Sequence, residues 1–349
     1  MAKEEWKTIL SIGMENGTID LKAKKTLDGK FSYRRVITEM EEGMKHFSSA
    51  ETKNEAMALL DEYSWLSLFP LYIEDSIKAA VQKRILNHRY RNESVFDAWI
   101  ESCFPKNYEK EVKLANWILT SRKTMVLTGA GMSTESNLPD FRSEKGWWKQ
   151  IDPRTVATPE ALYRNYSLFA DFYAGRIEAL TNTAPHGGHL ILAALEEQGL
   201  IDGIATQNVD GLHKKAGNEK VYELHGSLDK IYCHDCGKQA AVHDLKQKSK
   251  CGCGGRLRPG VVLFGEMLPK ETWTSALGEI ETADLVLVIG TSLEVYPANQ
   301  LHSMTKGRTV YINTEINEQA GDFDLCIEGK AKEILESLND FLQDNSILD

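Results

Sequence analysis

The period of the apolar positions changes about a third of the way along this 349-residue chain. In the first hundred or so residues they recur at helical spacing: Val36, Met40 and Met44; Ala56, Leu59 and Leu60; Ile77, Ala80, Val81 and Ile85. Pro70 separates the second group from the third. This pattern predicts an all-helical N-terminal extension over residues 1–105. From Tyr108 onward the pattern is different. A helix over 109–121 leads into a short apolar run, Thr124–Thr128, and further runs follow at Gly203–Thr206, 283–289 and 309–312. Helical patterns lie between them, as at 189–198. Short apolar runs alternating with helices predict an α/β fold, a Rossmann-like doubly wound parallel sheet covered on both faces. Ligands in such sheets bind beyond the carboxyl ends of the strands, so the polar residues after each run are the ones that matter for function.

Composition narrows the class. Hydrophobic residues at 42% and charged residues at 26% fit a globular chain able to bury a core, which excludes disorder as the dominant state. Lys plus Arg number 41 against 51 for Asp plus Glu, a net charge of -10, so direct nucleic-acid binding is not expected. No apolar run approaches the roughly 18–20 residues of a membrane span, and the N-terminus lacks the basic-then-apolar order of a secretory signal. A cytoplasmic protein without membrane partners is the expectation.

Cys233, Cys236, Cys251 and Cys253 are four of the six cysteines. In a reducing compartment such clustering points to metal rather than disulfides. Two knuckles supply the four thiolates of a tetrahedral zinc site, and Gly237, Gly252, Gly254 and Gly255 allow the backbone to turn around the ion. All four positions are then taken by protein, so the zinc, one per chain, is structural.

The first strand end reads Gly129-Ala130-Gly131, followed by Ser133, Thr134 and Ser136. Glycines let backbone N–H groups approach a pyrophosphate, although the third glycine of the dinucleotide fingerprint is missing and a plain structural turn fits almost as well. Pro139-Asp140-Phe141-Arg142 follows, with a charge pair and an aromatic suited to a loop that closes over a ligand. Thr206-Gln207-Asn208-Val209-Asp210-Gly211-Leu212-His213 ends the second strand, and Glu223-Leu224-His225-Gly226-Ser227 precedes the cysteines. With Arg258-Pro259-Gly260, Phe264-Gly265-Glu266, Gly290-Thr291-Ser292-Leu293 and Ile312-Asn313, these motifs resemble the sirtuin family of NAD-dependent protein deacylases over about residues 113–338.

The resemblance implies a catalytic domain over 106–349: a large Rossmann-like domain with a small inserted zinc-ribbon subdomain at about 226–265, and the active site in the cleft between them. It implies NAD as co-substrate, held by Gly129, Ala130, Gly131, Thr134, Asp140, Phe141, Arg142, Gln207, Asn208, Asp210, Gly290, Thr291, Ser292, Asn313, Glu315 and Ile327. In that scheme Phe141 shields the reacting carbon, Asn208 positions a water and the ribose, Asp210 binds the carboxamide, and His225 is the general base. The partners are acylated lysine-containing proteins or peptides, clamped as an added strand by Val262, Phe264, Gly265, Glu266 and Val295. The products implied are free lysine, nicotinamide and O-acyl-ADP-ribose.

Two positions depart from the family pattern. Asn137 stands where the family commonly has glycine, and Cys251 and Cys253 are one residue closer than usual. Tyr173 and Arg176 resemble the pair that some sirtuins use for acidic acyl groups, a phenol and a guanidinium suited to a carboxylate. Acetyl is the expected acyl group, with succinyl as the alternative. Two other readings stay open on the residues: an ADP-ribosyltransferase or NAD hydrolase on the same fold, and a non-enzymatic NAD-binding scaffold. Residues 1–105 lie outside the resemblance and are read as a packed extension without chemistry, a protein contact being the alternative.

Overall fold

Each interior strand of the large sheet is apolar on both faces because both are roofed by helices. The computed structural model describes residues 7–14, 17–25, 31–39, 45–50, 107–144, 146–316 and 318–345, and the chain divides into two units, Met1–Glu109 and Lys110–Asp349.

In the second unit α1 (Tyr108–Thr120) leads to β5 (Thr124–Thr128), and the parallel sheet is completed by β6 (Gly203–Thr206), β7 (Val221–Glu223), β11 (Leu285–Ile289), β12 (Arg308–Asn313) and β13 (Leu325–Glu328). Its order is β13-β12-β11-β5-β6-β7, the doubly wound arrangement, and it reverses direction between β5 and β11. Alternate residues sort to opposite faces. Val126, Ile204, Leu287, Val310 and Ile327 pack with α1, α5 (Gly187–Glu197) and α9 (Ala331–Asn345). Met125, Leu127, Ala205, Val288 and Tyr311 pack with α8 (Lys270–Glu281) and the 3-10 turn Ala298–Met304. Each fully buried leucine in these layers contributes roughly 1.5–3 kcal/mol relative to exposure.

The smaller lobe contains more than the cysteine-bearing segment. Strands β8 (Gly226–Cys233), β9 (Gln239–Ala240) and β10 (Leu257–Val261) form a three-stranded sheet in the order β10-β8-β9. Its apolar face shares one core with α3 (Pro159–Arg164) and α4 (Tyr166–Thr181), through Leu162, Phe169 and Tyr173 against Leu228, Ile231 and Leu257. Hydrogen bonds tie the two halves: Tyr166 Oη donates to the Leu257 carbonyl at 3.1 Å, and Tyr163 Oη to Asp235 at 2.9 Å. The remaining short helices are α2 (Trp147–Gln150), α6 (Leu212–Ala216) and α7 (Val242–Lys246).

The N-terminal unit corrects the sequence reading. Strands β1 (Lys7–Met14), β2 (Gly17–Lys25), β3 (Phe31–Glu39) and β4 (Lys45–Ala50) pair antiparallel in that order, so the extension is not all-helical. Val36 lies in β3, opposite Phe47, while Met40 and Met44 fall outside the described residues; their offsets of four and eight are even and satisfy a two-residue period as well as a helical one. The alternation Ile19-Asp20-Leu21-Lys22 and the Asn16-Gly17 dipeptide were the strand and turn signals. The helices expected around 56–60 and 77–85 fall outside the described residues. Among the described residues no helix is long and apolar enough to cross a membrane.

Candidate active site

The crevice begins where β5 and β11 end. Gly129 and Gly131 on one loop press against Gly290 on the other. A Cβ on Gly129 would lie 2.6 Å from Thr291 Cβ, and one on Gly131 would lie 2.8 Å from the Gly290 carbonyl, so only glycine allows this approach. The Gly131 N–H donates to the Gly290 carbonyl at 2.7 Å. Residues 130–136 then form a 3-10 turn rather than an α-helix, ended by Asn137 at φ 63°. Asparagine tolerates that left-handed geometry, so the departure from glycine leaves the turn intact.

The loops after β5 and β6 meet at Ser133, a residue absent from the predicted ligand set. Asn208 Nδ2 donates to Ser133 Oγ at 3.1 Å and to the Gly129 carbonyl at 3.0 Å, and Ser133 Oγ donates to Asp210 Oδ2 at 2.8 Å. Asp210 Oδ1 accepts the Leu212 N–H at 2.9 Å. Burial raises the Asp210 carboxyl above its ordinary value, while the Leu212 N–H and Ser133 hydroxyl pull it back. A serine inside a turn carries no sequence signal; its place on the loop after β5 was the only clue.

His225 lies between β7 and β8. Its Nδ1 is 3.0 Å from the Gln207 carbonyl. A carbonyl can only accept, so Nδ1 carries the proton and Nε2 is left basic. Burial lowers its pKa, and the bond to Gln207 opposes that shift. Gln207 Nε2 donates to Thr291 Oγ1 at 3.1 Å, linking the β6 and β11 loops.

Asn313 Nδ2 donates to Tyr311 Oη at 2.9 Å and to the Glu315 carbonyl at 3.1 Å, and Tyr311 Oη donates to the Thr291 carbonyl at 2.8 Å. Thr291, Asn313 and Glu315 therefore form one brace at the β11 and β12 ends, with Ser292 half-buried on the same loop. Two predicted cofactor ligands are placed otherwise. Ile327 is wholly buried inside the sheet core, so its side chain has no ligand-facing surface. Thr134 is exposed, and its hydroxyl donates back to the Gly131 carbonyl at 2.9 Å.

A cavity of about 570 Å³ opens beside this cluster, lined among others by Ala130, Ser133, Phe141, Arg176, Asn208 and Asp210. Its lid is the loop bearing Phe141. Asp140 Oδ1 organises that loop by accepting the N–H groups of Arg142 and Ser143 at 3.2 and 3.0 Å. Phe141 packs 5.0 Å from Trp148, which lies 6.2 Å from Phe264 (ring centroids). Arg142 pairs with Glu294 at 2.6 Å, joining the lid to the loop after β11, where Val295 also lies.

Residues 262–266 form the opposite lip. The Val262 N–H donates to the His225 carbonyl at 2.8 Å, and the exposed Phe264 and Gly265 follow. Glu266 turns inward: its carboxylate takes both terminal nitrogens of Arg258, at 2.5 and 2.9 Å, and the Leu263 N–H at 2.8 Å. Tyr173 is only 3% exposed and packs 4.7 Å from the Phe169 ring, inside the small-lobe core, where burial pushes its phenol up to about 12. Arg176, one turn on, lines the cavity and stacks on Phe141, its guanidinium 5.2 Å from the ring centre. Among the described residues it makes no ion pair.

Cys233, Cys236, Cys251 and Cys253 form the one metal-ligating cluster among the described residues, with all four sulfurs within 4.8 Å of one another. Backbone N–H groups, Cys236's first, bring the Cys233 thiol down to about 7. Cys253, despite the Gly255 N–H, is pushed up to about 12 by the neighbouring thiols. Four sulfurs so close ionise together only around a cation, so the donor set fits a tetrathiolate metal.

Comparison with known proteins agrees with this geometry. The profile of the Sir2 family matches residues 129–297. An NAD-dependent protein deacetylase of Oceanobacillus iheyensis is 44% identical over 232 residues, covering 65% of this chain and 98% of that protein. NAD-dependent protein deacylase 2 of Pyrobaculum aerophilum is 41% identical, covering 65% and 94%. The crystal structure of a Sir2 homologue with NAD superposes with a TM-score of 0.63 at 37% identity, over 67% of this chain and 94% of that one. A Sir2–p53 peptide–NAD complex does so at 0.61 and 33%, over 67% and 98%. With the interlocked glycines, the Asn208–Ser133–Asp210 cluster and the tetrathiol knot on this sheet order, the chain belongs to the Sir2 family.

Proposed function

We propose that this enzyme removes acyl groups from protein lysine side chains in an NAD-dependent reaction, with His225 as general base. One observation carries the reading: the His225 Nδ1–H is committed to the carbonyl of Gln207, next to Asn208 on the loop that lines the cavity, which leaves Nε2 as the basic nitrogen. The relatives named as NAD-dependent deacetylases, and the homologues solved with NAD, support it.

NAD supplies an electrophilic sugar carbon whose leaving group is nicotinamide. The interlocked glycines, whose own N–H groups are bonded to the Ile289, Gly290 and Ile312 carbonyls, keep Cβ atoms out of the junction so that the pyrophosphate lies close against the loops after β5 and β11. Asp210, with Ser133, holds the carboxamide, and Gln207 and Asn208 hold the ribose. Phe141 and its aromatic neighbours exclude water while positive charge develops on the sugar. The cleft aligns the acyl oxygen of the substrate with that carbon. His225 Nε2 then takes the proton of a ribose hydroxyl as it attacks the acyl carbon. One water is consumed, and the products are lysine, nicotinamide and O-acyl-ADP-ribose. The lip at 262–266 and the bent loop around Val295 hold the substrate backbone. The four cysteines hold one structural zinc and take no part in the chemistry.

Acetyl is the acyl group proposed first. Arg176, a cavity-lining cation, supports a carboxylate-bearing acyl such as succinyl as a second substrate, without a paired phenol from the buried Tyr173. Mass spectrometry of products from acetyl- and succinyl-lysine peptides with NAD tests the proposal. O-acyl-ADP-ribose supports it, and free ADP-ribose with the peptide unchanged overturns it in favour of NAD hydrolysis.

A further inference from the structure

Three buried polar side chains behind the crevice have no part in the chemistry above. Thr128 ends β5, Thr206 ends β6, and His213 lies in α6; they are 0%, 3% and 2% exposed. The Asn208 backbone N–H donates to Thr206 Oγ1 at 3.0 Å. Thr128 Oγ1 lies 2.8 Å from Thr206 Oγ1, and His213 Nε2 lies 3.0 Å from Thr128 Oγ1. The proton order follows from the other ring nitrogen. His213 Nδ1 is buried and has no partner. If Nε2 accepted, Nδ1 would be an unpaired buried N–H, a rarer defect than an unpaired acceptor. Nε2–H therefore donates to Thr128, and the Thr128 hydroxyl donates to Thr206.

The placement of these groups matters more than their number. Segment 207–211 carries Gln207, Asn208 and Asp210, leaves the sheet at Thr206 and returns at α6. Both ends are fastened to Thr128 on the neighbouring strand. The Thr128 carbonyl also accepts the Gln207 N–H at 2.9 Å, and the Thr206 carbonyl accepts the Leu224 N–H at 2.9 Å, next to His225. Burial brings His213 down to about 3, so its ring stays neutral and the order of donors is kept at neutral pH.

We infer that His213, Thr128 and Thr206 form a positioning relay that sets Asn208 and Asp210 against the nicotinamide-ribose end of NAD. The inference rests on the reading of segment 207–211 as the NAD-binding loop. None of the three side chains touches the reacting atoms; each acts through Asn208.

Thr128→Val keeps the volume and removes the hydroxyl, and Thr128→Ser keeps the hydroxyl and trims a methyl. In the full chain, NAD affinity is measured by calorimetry, and KM for NAD and for an acetyl-lysine peptide by steady-state turnover. The relay predicts that Val weakens NAD binding about tenfold, the equivalent of about 1.4 kcal/mol or one buried hydrogen bond. Ser stays within about threefold of wild type, the peptide KM is unchanged, and His213→Leu added to Thr128→Val costs little more, because the relay is already broken. Equal losses for Val and Ser would assign the effect to packing and overturn the inference. So would a Val variant that binds NAD as wild type does, or a full additive loss in the double variant. A wild-type chain that binds NAD but yields no deacylated peptide would overturn the proposed reaction, and the NAD isotherms of the Val and Ser variants would still decide the relay.

Discussion

Replacing Glu266 by Gln isolates what the inward-turned carboxylate contributes. The Arg258 side chain is 3% exposed and that of Glu266 is 25% exposed. Arg258 also donates to the Val261 carbonyl at 2.6 Å, so its guanidinium is saturated only while Glu266 accepts two bonds. Burial alone would raise the Glu266 carboxyl, but Arg258 and the Leu263 N–H outweigh it and hold it below its ordinary value. Glutamine keeps the shape but turns one acceptor into an NH2 group facing N–H donors, leaving a buried cation without its counter-charge. Breaking a buried pair in this way costs about 3–5 kcal/mol, and the partial exposure of Glu266 favours the lower end. About 3 kcal/mol lowers Tm by about 6–12 °C for a unit of this size. Because the Leu263 N–H that Glu266 accepts lies within the 262–266 lip, the KM for peptide is expected to rise more than the KM for NAD. Glu294→Gln is the internal control: its pair with Arg142 is 39% and 53% exposed, worth at most about 1 kcal/mol. Thermal unfolding of the variants at neutral pH, followed by near-UV circular dichroism, makes the comparison. If Glu266→Gln melts no lower than Glu294→Gln, the buried-pair argument is refuted.

Two further outcomes follow from buried groups and from the cysteines. Burial holds His189 at about 2 and His213 at about 3, well below the unfolded value, so at acid pH the unfolded chain takes up protons that the folded one does not. Each ring's contribution is full above about pH 6.5 and falls by about 1.4 kcal/mol per pH unit below it. Urea unfolding from about pH 7.5 to pH 5 should show that loss, and His189→Leu should flatten it; an unchanged slope in the variant would contradict the assignment. Elemental analysis should find one zinc per chain. Chelation, starting at the exposed Cys236 and Cys253, should raise amide exchange in β8–β10 while β5 and β11 stay protected; protection unchanged after metal loss would contradict a structural role.

Much of the catalytic unit was legible because strand ends and ligands are neighbours in sequence. The run Gly203–Thr206 announced a buried strand, and Gln207, Asn208 and Asp210 had to follow it at the ligand edge. What was not legible depends on distance in three dimensions. Ser133 joins Asn208 and Asp210 from about 75 residues away. The small lobe borrows α3 and α4 from before β6, which no local pattern announces. Tyr173 and Arg176 share a helix face by spacing, yet that face meets the Phe169 and Phe172 rings, so one is core and the other reaches the cavity. Arg258 and Glu266 read as a basic and an acidic residue on a lip until the turn between them folds one onto the other. At Val36 the spacing fitted strand and helix alike, and pairing with β2 and β4 decided for strand.

The proposed role of His225 is that of a base acting after the nicotinamide bond is broken. Wild type and His225→Ala should be compared in two assays with the same acetyl-lysine peptide: release of acetyl to the ribose, and exchange of labelled nicotinamide into NAD. The variant is expected to lose deacylation by about 10²–10⁴-fold, the usual contribution of a general base, while exchange of nicotinamide persists. Deacylation that survives in His225→Ala at the wild-type rate would contradict it.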